Sequence, residues 1–388
     1  MMRLSKFILF WVTTLFWFSL YAYIPYVNPQ LIGMGVTASI MGIIGGSYGF
    51  TQFALRIPVG IYSDKWQKKF FICAGCLCAG LAALCMLLFH NPIGFLIGRA
   101  LGGVAASSWV PCTVLYASYS KPEHATRSMT SINLASQVGR LLSFMLAAYT
   151  AANLGVNYIF IIGAAGGFLG FILSLFIKEN STAEKKPITI KELISVGTER
   201  NLLITSVLTV FVQLIGYATY VTFTANHAVY IGATPSQLGY VKVILYVPSI
   251  ILSILLSEFI LKHVRAKYLV VLGFATTTLY CLLVPLTQTI QQLYAVQLLG
   301  GISVVLTLSL LMGLSVQNIS TENRGAAMGF FQSLYGMGMA VGPLLMGALI
   351  DGVGLTYSFF FMATLAALSM VVSGVYLQST PISKGAVK

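Results

Sequence analysis

Apart from Arg56, three positively charged residues lie inside long apolar stretches of this sequence, where a charge is costly and therefore informative. Arg140 is the single charged residue of NLASQVGRLLSFMLAAY, and Arg99 and Lys242 have similarly apolar surroundings. On a helix that rises ~1.5 Å per residue, Arg140 lies about 20 Å from Arg127, which places it near the middle of a bilayer. A central arginine costs at least ~2.5 kcal/mol there, so a compensating interaction is expected.

The acidic residues do not provide this compensation. Of the nine Asp and Glu residues, only Glu258 falls within an apolar stretch, and it lies close to one end of it. Water, backbone carbonyls or an aromatic face would shelter the three cations, and so would a negatively charged substrate. We therefore predict that Arg140, Lys242 and Arg99 contribute to a site for a small anionic or zwitterionic organic molecule, with the other shelters left open.

Polar residues recur on the same helical faces as these cations. Asn133 and Gln137 precede Arg140 at a spacing that places all three on one side of a helix. Such stripes either form hydrogen bonds between helices or line a watery cavity, and three aligned stripes favour a cavity. Trp17 and Tyr21 suit the lining of a cavity and ordinary helix packing equally well. The other two stripes consist of Gln213, Tyr217, Tyr220, Thr224 and His227, and of Lys242, Tyr246, Ser249 and Ser253.

The composition indicates which elements position these residues. The chain has 388 residues, of which 57% are hydrophobic and 8% are charged, and its mean hydropathy is +0.88. Soluble domains carry about 25% charged residues. Long apolar runs with polar breaks predict an all-α polytopic membrane protein with twelve transmembrane helices. The predicted spans are 7–27, 38–62, 70–89, 93–117, 128–152, 157–177, 202–230, 236–261, 268–286, 291–315, 325–350 and 355–377.

The net charge of +13 reflects membrane topology rather than nucleic-acid binding. Of the 22 Lys and Arg residues, 18 lie outside the predicted spans. These 18 residues all fall in connections on the same side of the membrane. The opposite connections, such as NPQLIGMGVT and NLGV, contain none. The positive-inside rule then predicts that both termini are cytoplasmic and that the chain resides in the cell membrane. We accordingly exclude nucleic acid as a partner and expect contact with the lipid bilayer.

Residues 178–200 form the one long polar connection and divide the predicted spans into two sets of six. The segment GRALGGVAA at 98–106 aligns with VQLLGGISV at 296–304, and a second pair of segments in equivalent spans shows nearly the same offset. This regularity is expected of a duplicated six-helix unit. We therefore predict two six-helix bundles, 1–177 and 201–388, which a cytoplasmic linker joins.

Two motifs resemble those of the major facilitator superfamily of transporters. GIYSDKWQKK at 60–69 matches the signature loop of the family between the second and third helices, with Gln67 in place of the usual Gly. GRALGGVAASSWVP resembles the Arg-Gly motif of the fourth helix, where the family carries an arginine at Arg99 whatever the cargo. The resemblance implies a secondary transporter that works by alternating access. In that fold helices 5 and 8 are neighbours, which would bring Arg140 and Lys242 to one substrate.

The resemblance also implies a latch between the signature loop and the eleventh helix. In the family, the carboxylate that corresponds to Asp64 meets the N-terminal end of that helix, here near Arg324, where unpaired N–H groups and the helix dipole favour an anion. The alternative is a solvated turn whose lysines only set the topology. The predicted latch residues are Arg56, Gly60, Asp64, Lys68, Lys69 and Arg324.

Two other functions compete with transport of an anion, namely multidrug efflux and catalysis. The aromatic content, with 24 Phe, 20 Tyr and 4 Trp, supports a multidrug efflux pump as the alternative. However, the first span has no acid, and GRLLSFMLAA stands where proton-coupled drug exporters of the family have a Gly-Pro motif. Four histidines, none paired with a carboxylate or cysteine at ligand spacing, argue against an enzyme. We predict a monomer with a small-molecule substrate and with no catalytic residue, metal or cofactor, and we leave the coupling ion open.

Overall fold

The computed structural model describes residues 2–120, 125–179, 195–317, 319–320 and 324–377. Within these ranges every regular element is helical, which confirms the all-α prediction. Most of the predicted linker 178–200 lies outside the described residues. The chain divides into two compact units, and the predicted bundle boundaries at 177 and 201 stay a prediction.

The first unit consists of Met1–Val36, Ile43–Pro187 and Thr234–Tyr240. The third of its helices begins in residues that group with the second unit. The predicted spans 1 to 6 correspond to these helices, because each apolar run forms one helix or a pair. The helices are α1 (Met2–Ala22), α2 (Ile24–Gly33), α3 (Ala38–Lys65), α4 (Lys68–Leu88), α5 (Pro92–Ser107), α6 (Trp109–Ser118), α7 (Ala125–Asn153) and α8 (Asn157–Ser174).

Two of the predicted spans in this unit are each divided into two helices. Tyr23 separates α1 from α2, and Pro25 follows in the first turn of α2. Ser108 separates α5 from α6, and Pro111 lies in the first turn of α6. A proline lacks the N–H group that a continuous helix needs and crowds the preceding turn. Each break therefore lies just before a proline that the first turn of a new helix tolerates.

The second unit consists of Thr37–Gly42, Ile188–Ala233 and Val241–Lys388. Three of its predicted spans contain a π-helical segment, in which the widened turn alters the usual backbone hydrogen bonding. These segments are Tyr217–Phe223, Leu256–Ile260 and Val305–Ser309. The α-helices are α9 (Arg200–Gly216), α10 (Thr224–Tyr230), α11 (Pro235–Leu255), α12 (Leu261–His263), α13 (Ala266–Leu283), α14 (Ile290–Val304), α15 (Leu310–Ser315), α16 (Arg324–Val353) and α17 (Leu355–Tyr376).

Ten helical segments of the described residues are long and apolar enough to cross a membrane, so the chain is a polytopic membrane protein. The predicted spans 38–62 and 128–152 are absent from these ten. Both form helices, α3 with 28 residues and α7 with 29 residues, and at ~1.5 Å per residue each is long enough to span a ~30 Å hydrocarbon layer. They are less apolar, and α7 carries the polar stripe around Arg140. The count of twelve spans and the cytoplasmic termini stay predictions.

Candidate substrate-binding site

Arg140 lies on α7 with its guanidinium group against two aromatic rings of α1. Its Cζ atom is 4.0 Å from the ring centroid of Trp17 and 4.7 Å from that of Tyr21. Trp17 and Tyr21 are four residues apart on α1, so their rings lie on the same side of the helix. A desolvated cation–π contact stabilises by about 2 kcal/mol. An aromatic face is therefore one shelter that the protein itself provides for Arg140.

A close approach of α1 and α7 places Arg140 against these rings. A Cβ atom at Gly139 would overlap the carbonyl oxygen of Thr14 and would lie 3.2 Å from the amide nitrogen of Phe18. Only glycine leaves enough room for this contact with the α1 backbone. Because Gly139 directly precedes Arg140 and the contacted residues flank Trp17, the contact sets the distance between the guanidinium and the rings.

The two rings belong to a larger group that we call the aromatic platform, formed by Trp17, Tyr21, Trp109 and Phe144. The Trp109 ring centroid lies 5.4 Å from that of Trp17, and the Phe144 centroid lies 5.9 Å from that of Tyr21, both in edge-to-face orientation. Trp17 and Phe144 are buried, whereas Tyr21 and Trp109 are partly exposed. The platform thus has a buried layer and an accessible layer.

The predicted polar neighbours of Arg140 differ in their positions. Gln137 is half-buried, and its Oε1 atom accepts a hydrogen bond from Nη1 of Arg140 at 3.5 Å. Asn133, one turn earlier on α7, is exposed. Arg140 itself is half-buried. The structure therefore brings Arg140, Gln137, Trp17 and Tyr21 together, and it leaves Asn133 without a contact that ties it to this group.

Arg99 also lies against an aromatic ring. It is 3% exposed on α5, and its Cζ atom is 4.7 Å from the ring centroid of Tyr48 on α3. Thr51, one turn after Tyr48, donates a hydrogen bond to the carbonyl oxygen of Ala100 at 2.9 Å and so joins the two helices. Sequence reasoning missed Tyr48, because its position against Arg99 depends on how α3 and α5 pack.

Lys242 has a different shelter in the second unit. It is 3% exposed on α11, and its Nζ atom donates hydrogen bonds to the carbonyl oxygens of Tyr220 and, at 3.4 Å, Val221. Both carbonyls belong to the π-helical segment Tyr217–Phe223, where altered backbone pairing leaves carbonyls available to other donors. Backbone carbonyls were one of the shelters that the sequence left open.

The Tyr220 side chain takes part in hydrogen bonds between helices. Its hydroxyl donates to Oγ of Ser303 at 3.1 Å, and its ring lies edge-to-face with Tyr280 at 4.5 Å between centroids. The Tyr280 hydroxyl is bonded in turn to Thr224 at 2.7 Å and to Gln297 at 3.1 Å. This buried network gives part of the predicted stripe a packing role, while a role of Tyr220 in substrate binding stays a prediction.

Other members of the two stripes in the second unit also form contacts within it. His227 lies 2.8 Å from the hydroxyl of Thr287, measured from Nε2. Ser249 on α11 donates to the carbonyl oxygen of Gly301 on α14 at 3.0 Å. These bonds support interhelical packing, the alternative to a cavity lining. The remaining predicted site residues of this unit are buried or half-buried, namely Gln213, Tyr217 and Tyr246.

Glu179 caps the helix that follows the signature loop. Its Oε1 atom accepts from the amide of Lys68 at 3.1 Å and its Oε2 atom accepts from the amide of Lys69 at 2.9 Å. Lys69 also donates from Nζ to the carbonyl oxygen of Leu175 at 2.7 Å. A carboxylate at a helix N-terminus satisfies free N–H groups and interacts favourably with the helix dipole. Sequence reasoning missed Glu179, which lies 111 residues from Lys68.

The positions of the other predicted latch residues do not decide whether the latch exists. The Asp64 side chain lies outside the described residues, although its backbone belongs to α3. Arg56 is buried, and Gly60 is half-buried in the same helix. Arg324 is exposed, and its Nε atom donates to the carbonyl oxygen of Ile319 at 3.4 Å. The latch stays a prediction of the family resemblance.

Asp351 caps the N-terminus of α3 within the second unit. Its two carboxylate oxygens accept from the amides of Ala38 at 3.0 Å and Ser39 at 2.8 Å. The predicted eleventh span ends at residue 350, so Asp351 falls just outside it. In the structure α16 continues to Val353, and Asp351 lies in its last turn. The helix thus ends three residues later than predicted. Its last turn supplies a cap for two amides that precede Asp351 by 313 and 312 positions in the sequence.

Comparisons with known sequences are consistent with this architecture. The sequence model of the Major Facilitator Superfamily matches residues 7–230 and 205–388. An uncharacterized MFS-type transporter of Methanocaldococcus jannaschii is 23% identical over 378 residues, which cover 94% of this chain and 96% of the relative. The quinolone resistance protein NorA of Staphylococcus aureus is 23% identical over 363 residues, which cover 90% of this chain and 91% of NorA.

Solved structures share the fold at low sequence identity. The nucleoside transporter NupG superposes with a TM-score of 0.76 and 14% identity, covering 97% of this chain and 98% of that structure. A bacterial homolog to the human lysosomal transporter Spinster, in an inward-facing and unoccupied conformation, gives a TM-score of 0.77 and 13% identity over 97% and 96% of the two chains. At these identities the likeness concerns the fold alone.

Proposed function

Because the chain belongs to the major facilitator superfamily, we propose that it is a secondary transporter that moves a small organic anion or zwitterion by alternating access. The observation that carries the proposal is the position of Arg140. A half-buried guanidinium lies on an aromatic platform in a helix long enough to cross the membrane. Intramembrane cations are costly, and they often mark substrate or ion pathways.

The geometry of the platform suits an arginine that binds an anion. Rings cover a face of a planar guanidinium, and its N–H donors lie in the plane, so stacking and hydrogen bonding use different parts of the group. A carboxylate pairs with two such donors in parallel. Gln137 already accepts a hydrogen bond from Arg140. It would orient the guanidinium group and offer its own amide N–H to the substrate. Trp17 and Tyr21 hold the guanidinium from behind.

Lys242 is the second proposed cation of the substrate site. Its Nζ atom is held by two carbonyl oxygens of the second unit, which fix the position of this cation through neutral ligands. A substrate with one or two negative groups would gain from this charge in a low-dielectric environment. Other residues are proposed to contact the substrate because they are intramembrane cations or lie on the polar stripes of the sequence. They are Arg99, Asn133, Gln213, Tyr217, Tyr220 and Tyr246.

The proposed moving parts are the bundles 1–177 and 201–388. The proposed latch between them consists of Arg56, Gly60, Asp64, Lys68, Lys69 and Arg324. An organic anion that leaves a negative-inside cell gains ~2.3 kcal/mol per charge per 100 mV. Export therefore needs no coupling ion, and exchange of one anion for another is equally compatible. We propose residence in the cell membrane with cytoplasmic termini, on the distribution of Lys and Arg.

Multidrug efflux is the second candidate function. A relative that matches 90% of this chain is named for quinolone resistance, and an aromatic platform would also suit apolar drugs. No group of three His, Cys, Asp or Glu residues in the described part of the chain could hold a metal ion, and no catalytic role is proposed. Arg140 favours an anion over the lipophilic cations that an efflux pump with an acidic site would bind.

Thermal stabilisation of the purified protein by a compound panel tests the proposal. A ligand that binds the folded state raises its stability by about 2.7 kcal/mol at a concentration of 100 Kd. The panel contains anionic, zwitterionic, neutral and cationic compounds, and the variants are Arg140→Gln and, as a matched control, the exposed Arg265→Gln. We expect anions to stabilise wild type and Arg265→Gln but not a folded Arg140→Gln. Stabilisation of all three proteins by cations or neutral compounds alone would favour efflux.

A further inference from the structure

The accessible layer of the aromatic platform has a composition that selects among anions. Trp17 and Phe144 are 5% and 0% exposed and support this layer from behind. Tyr21 and Trp109 keep part of their surface exposed, and so does Arg140. The guanidinium lies 4.7 Å from the Tyr21 ring. A ligand that pairs with Arg140 therefore meets exposed aromatic surface directly beside the charge.

This arrangement does not suit a small and strongly hydrated anion. Sulfate, phosphate or a tricarboxylate needs several donors to replace its water, because an incompletely paired charge is costly outside water. Around Arg140 the first unit offers the guanidinium, the amide of Gln137 and the aromatic surface of Trp17 and Tyr21, which suits an apolar body better than a multiply charged ion. A single delocalised charge on an apolar body loses less hydration, and its body gains contact with the rings.

An unused donor lies in the same place. The indole N–H of Trp17 has no hydrogen-bond partner among the described residues. A buried N–H without an acceptor is destabilising, so structures usually supply one. The Trp17 ring lies 4.0 Å from Cζ of Arg140. The buried indole of Trp17 therefore adds an unsatisfied donor to the surroundings of Arg140, while the N–H donors of Arg140 itself meet a carboxylate.

We propose that this site takes an aromatic monocarboxylate. The carboxylate pairs with the N–H donors of Arg140, and the aromatic body of the substrate packs edge-to-face or offset on Tyr21 and Trp109, as aromatic pairs prefer. The inference rests on the proposed function and narrows its substrate class. In this site Tyr21 and Trp109 select substrates with an aromatic body, and Trp17 holds Arg140 in position.

Isothermal titration of the purified full-length chain with four matched probes tests this assignment. Phenylacetate carries the charge and the ring, cyclohexylacetate the charge and a saturated ring, acetate only the charge, and phenylacetamide only the ring. We expect phenylacetate to bind threefold to tenfold more tightly than cyclohexylacetate, the range expected for aromatic pairing. Acetate should bind at least tenfold more weakly than phenylacetate, and phenylacetamide should give no binding heat.

Variants locate the preference. Tyr21→Leu should bring the phenylacetate-to-cyclohexylacetate ratio close to one, Tyr21→Phe should keep it, and Trp66→Leu should leave it unchanged, since Trp66 is a 64% exposed tryptophan outside the platform. The melting temperature of each variant is recorded first. If Tyr21→Leu does not fold, Trp109→Leu takes its place, and a ratio unchanged in the folded variant overturns the assignment.

The outcomes separate this inference from the proposed function. If the carboxylates bind with equal affinity, or cyclohexylacetate binds as tightly as phenylacetate, the aromatic class is wrong and anion transport stands. If none of them binds while another anion stabilises the protein in an Arg140-dependent way, the aromatic class again fails alone. If phenylacetamide binds as well as phenylacetate and no anion depends on Arg140, both proposals fail.

Discussion

The two units shelter a buried cation in different ways. In the first unit the guanidinium of Arg140 lies against the rings of Trp17 and Tyr21, whereas in the second unit the ammonium of Lys242 donates to the carbonyl oxygens of Tyr220 and Val221. The chemistry of the two groups explains the difference. A guanidinium is planar and weakly hydrated and stacks on rings, while an ammonium is a compact and strongly hydrated charge that requires oxygen ligands.

The difference also determines how each cation can meet a substrate. Stacking leaves the in-plane donors of Arg140 oriented along the platform, and the residue is half-buried. Lys242 is 3% exposed and already directs its ammonium at backbone oxygens. We therefore expect Arg140 to contact a substrate through hydrogen bonds and Lys242 to act chiefly through its charge. Substitutions that exploit helix contact, side-chain size and ring chemistry test this contrast.

The largest expected effect comes from separating α1 and α7. In Gly139→Leu the new side chain meets the backbone of α1 at Thr14 and Phe18, which cannot move aside without disturbing the helix pair. We expect a loss of about 3 kcal/mol or more in the free energy of unfolding, together with loss of anion binding. Thermal denaturation in detergent and a binding titration measure both.

The matched control is Gly313→Leu, because a Cβ atom at exposed Gly313 meets nothing within 4 Å. This variant should keep both the melting temperature and anion binding. Gly301→Leu provides the comparison in the second unit, where the new side chain would overlap the carbonyl oxygen of Leu245 on α11. It should destabilise the protein as Gly139→Leu does, but change the position of Lys242 instead of Arg140. Equal melting temperatures for Gly139→Leu and Gly313→Leu would refute the packing argument.

An exchange of the two cation types should have an intermediate effect. Lys242→Arg introduces a larger group into a closed site, and we expect a loss of about 1–3 kcal/mol from overpacking. Arg140→Lys keeps the charge at a half-buried position, so its melting temperature should fall less. It should nevertheless bind a carboxylate more weakly, since the paired donors are lost. If Arg140→Lys is the more destabilised variant, the assignment of an open site to Arg140 and a closed one to Lys242 is wrong.

The smallest effect is expected from the ring beneath Arg140. Trp17→Phe keeps an aromatic face but weakens the cation–π contact by about 0.5–1 kcal/mol. Anion affinity should fall about twofold to fivefold, because the guanidinium is positioned less firmly, and a titration with the best-bound anion measures the change. The same substitution at exposed Trp66 should have no effect. A loss of more than tenfold would indicate that Trp17 itself contacts the substrate.

The class of fold follows from the sequence because hydrophobic run length and composition act locally. The apolar runs become helices, and the motifs around Gly60 and Arg99 indicate the family that the comparisons show. The π-helical segments have no such local signal. In Tyr217–Phe223 two carbonyl oxygens accept from Lys242 of another helix, a contact that no local pattern predicts. The caps at Glu179 and Asp351 are equally invisible, because each joins positions more than a hundred residues apart.

Of the candidate site, only the charged residues could be predicted from the sequence. Arg140 and Lys242 stand out because a charge in an apolar run has few explanations. The role of Trp17 and Tyr21 stayed open between cavity lining and packing, because it depends on the docking of α1 against α7 at Gly139. The stripe that contains Tyr220 and His227 has the same ambiguity, and the interhelical hydrogen bonds of those two side chains became visible only in the structure.

The most direct test of the central claim is flux of an organic anion into vesicles that contain the purified protein. The anion with the largest Arg140-dependent thermal stabilisation is supplied in labelled form, and its uptake is compared for wild type, Arg140→Gln and Arg265→Gln at equal protein content. We expect saturable uptake by wild type and Arg265→Gln, and a reduction to the level of empty vesicles in Arg140→Gln. Uptake by Arg140→Gln at the wild-type rate would contradict the assignment of Arg140 as the residue that binds the anion.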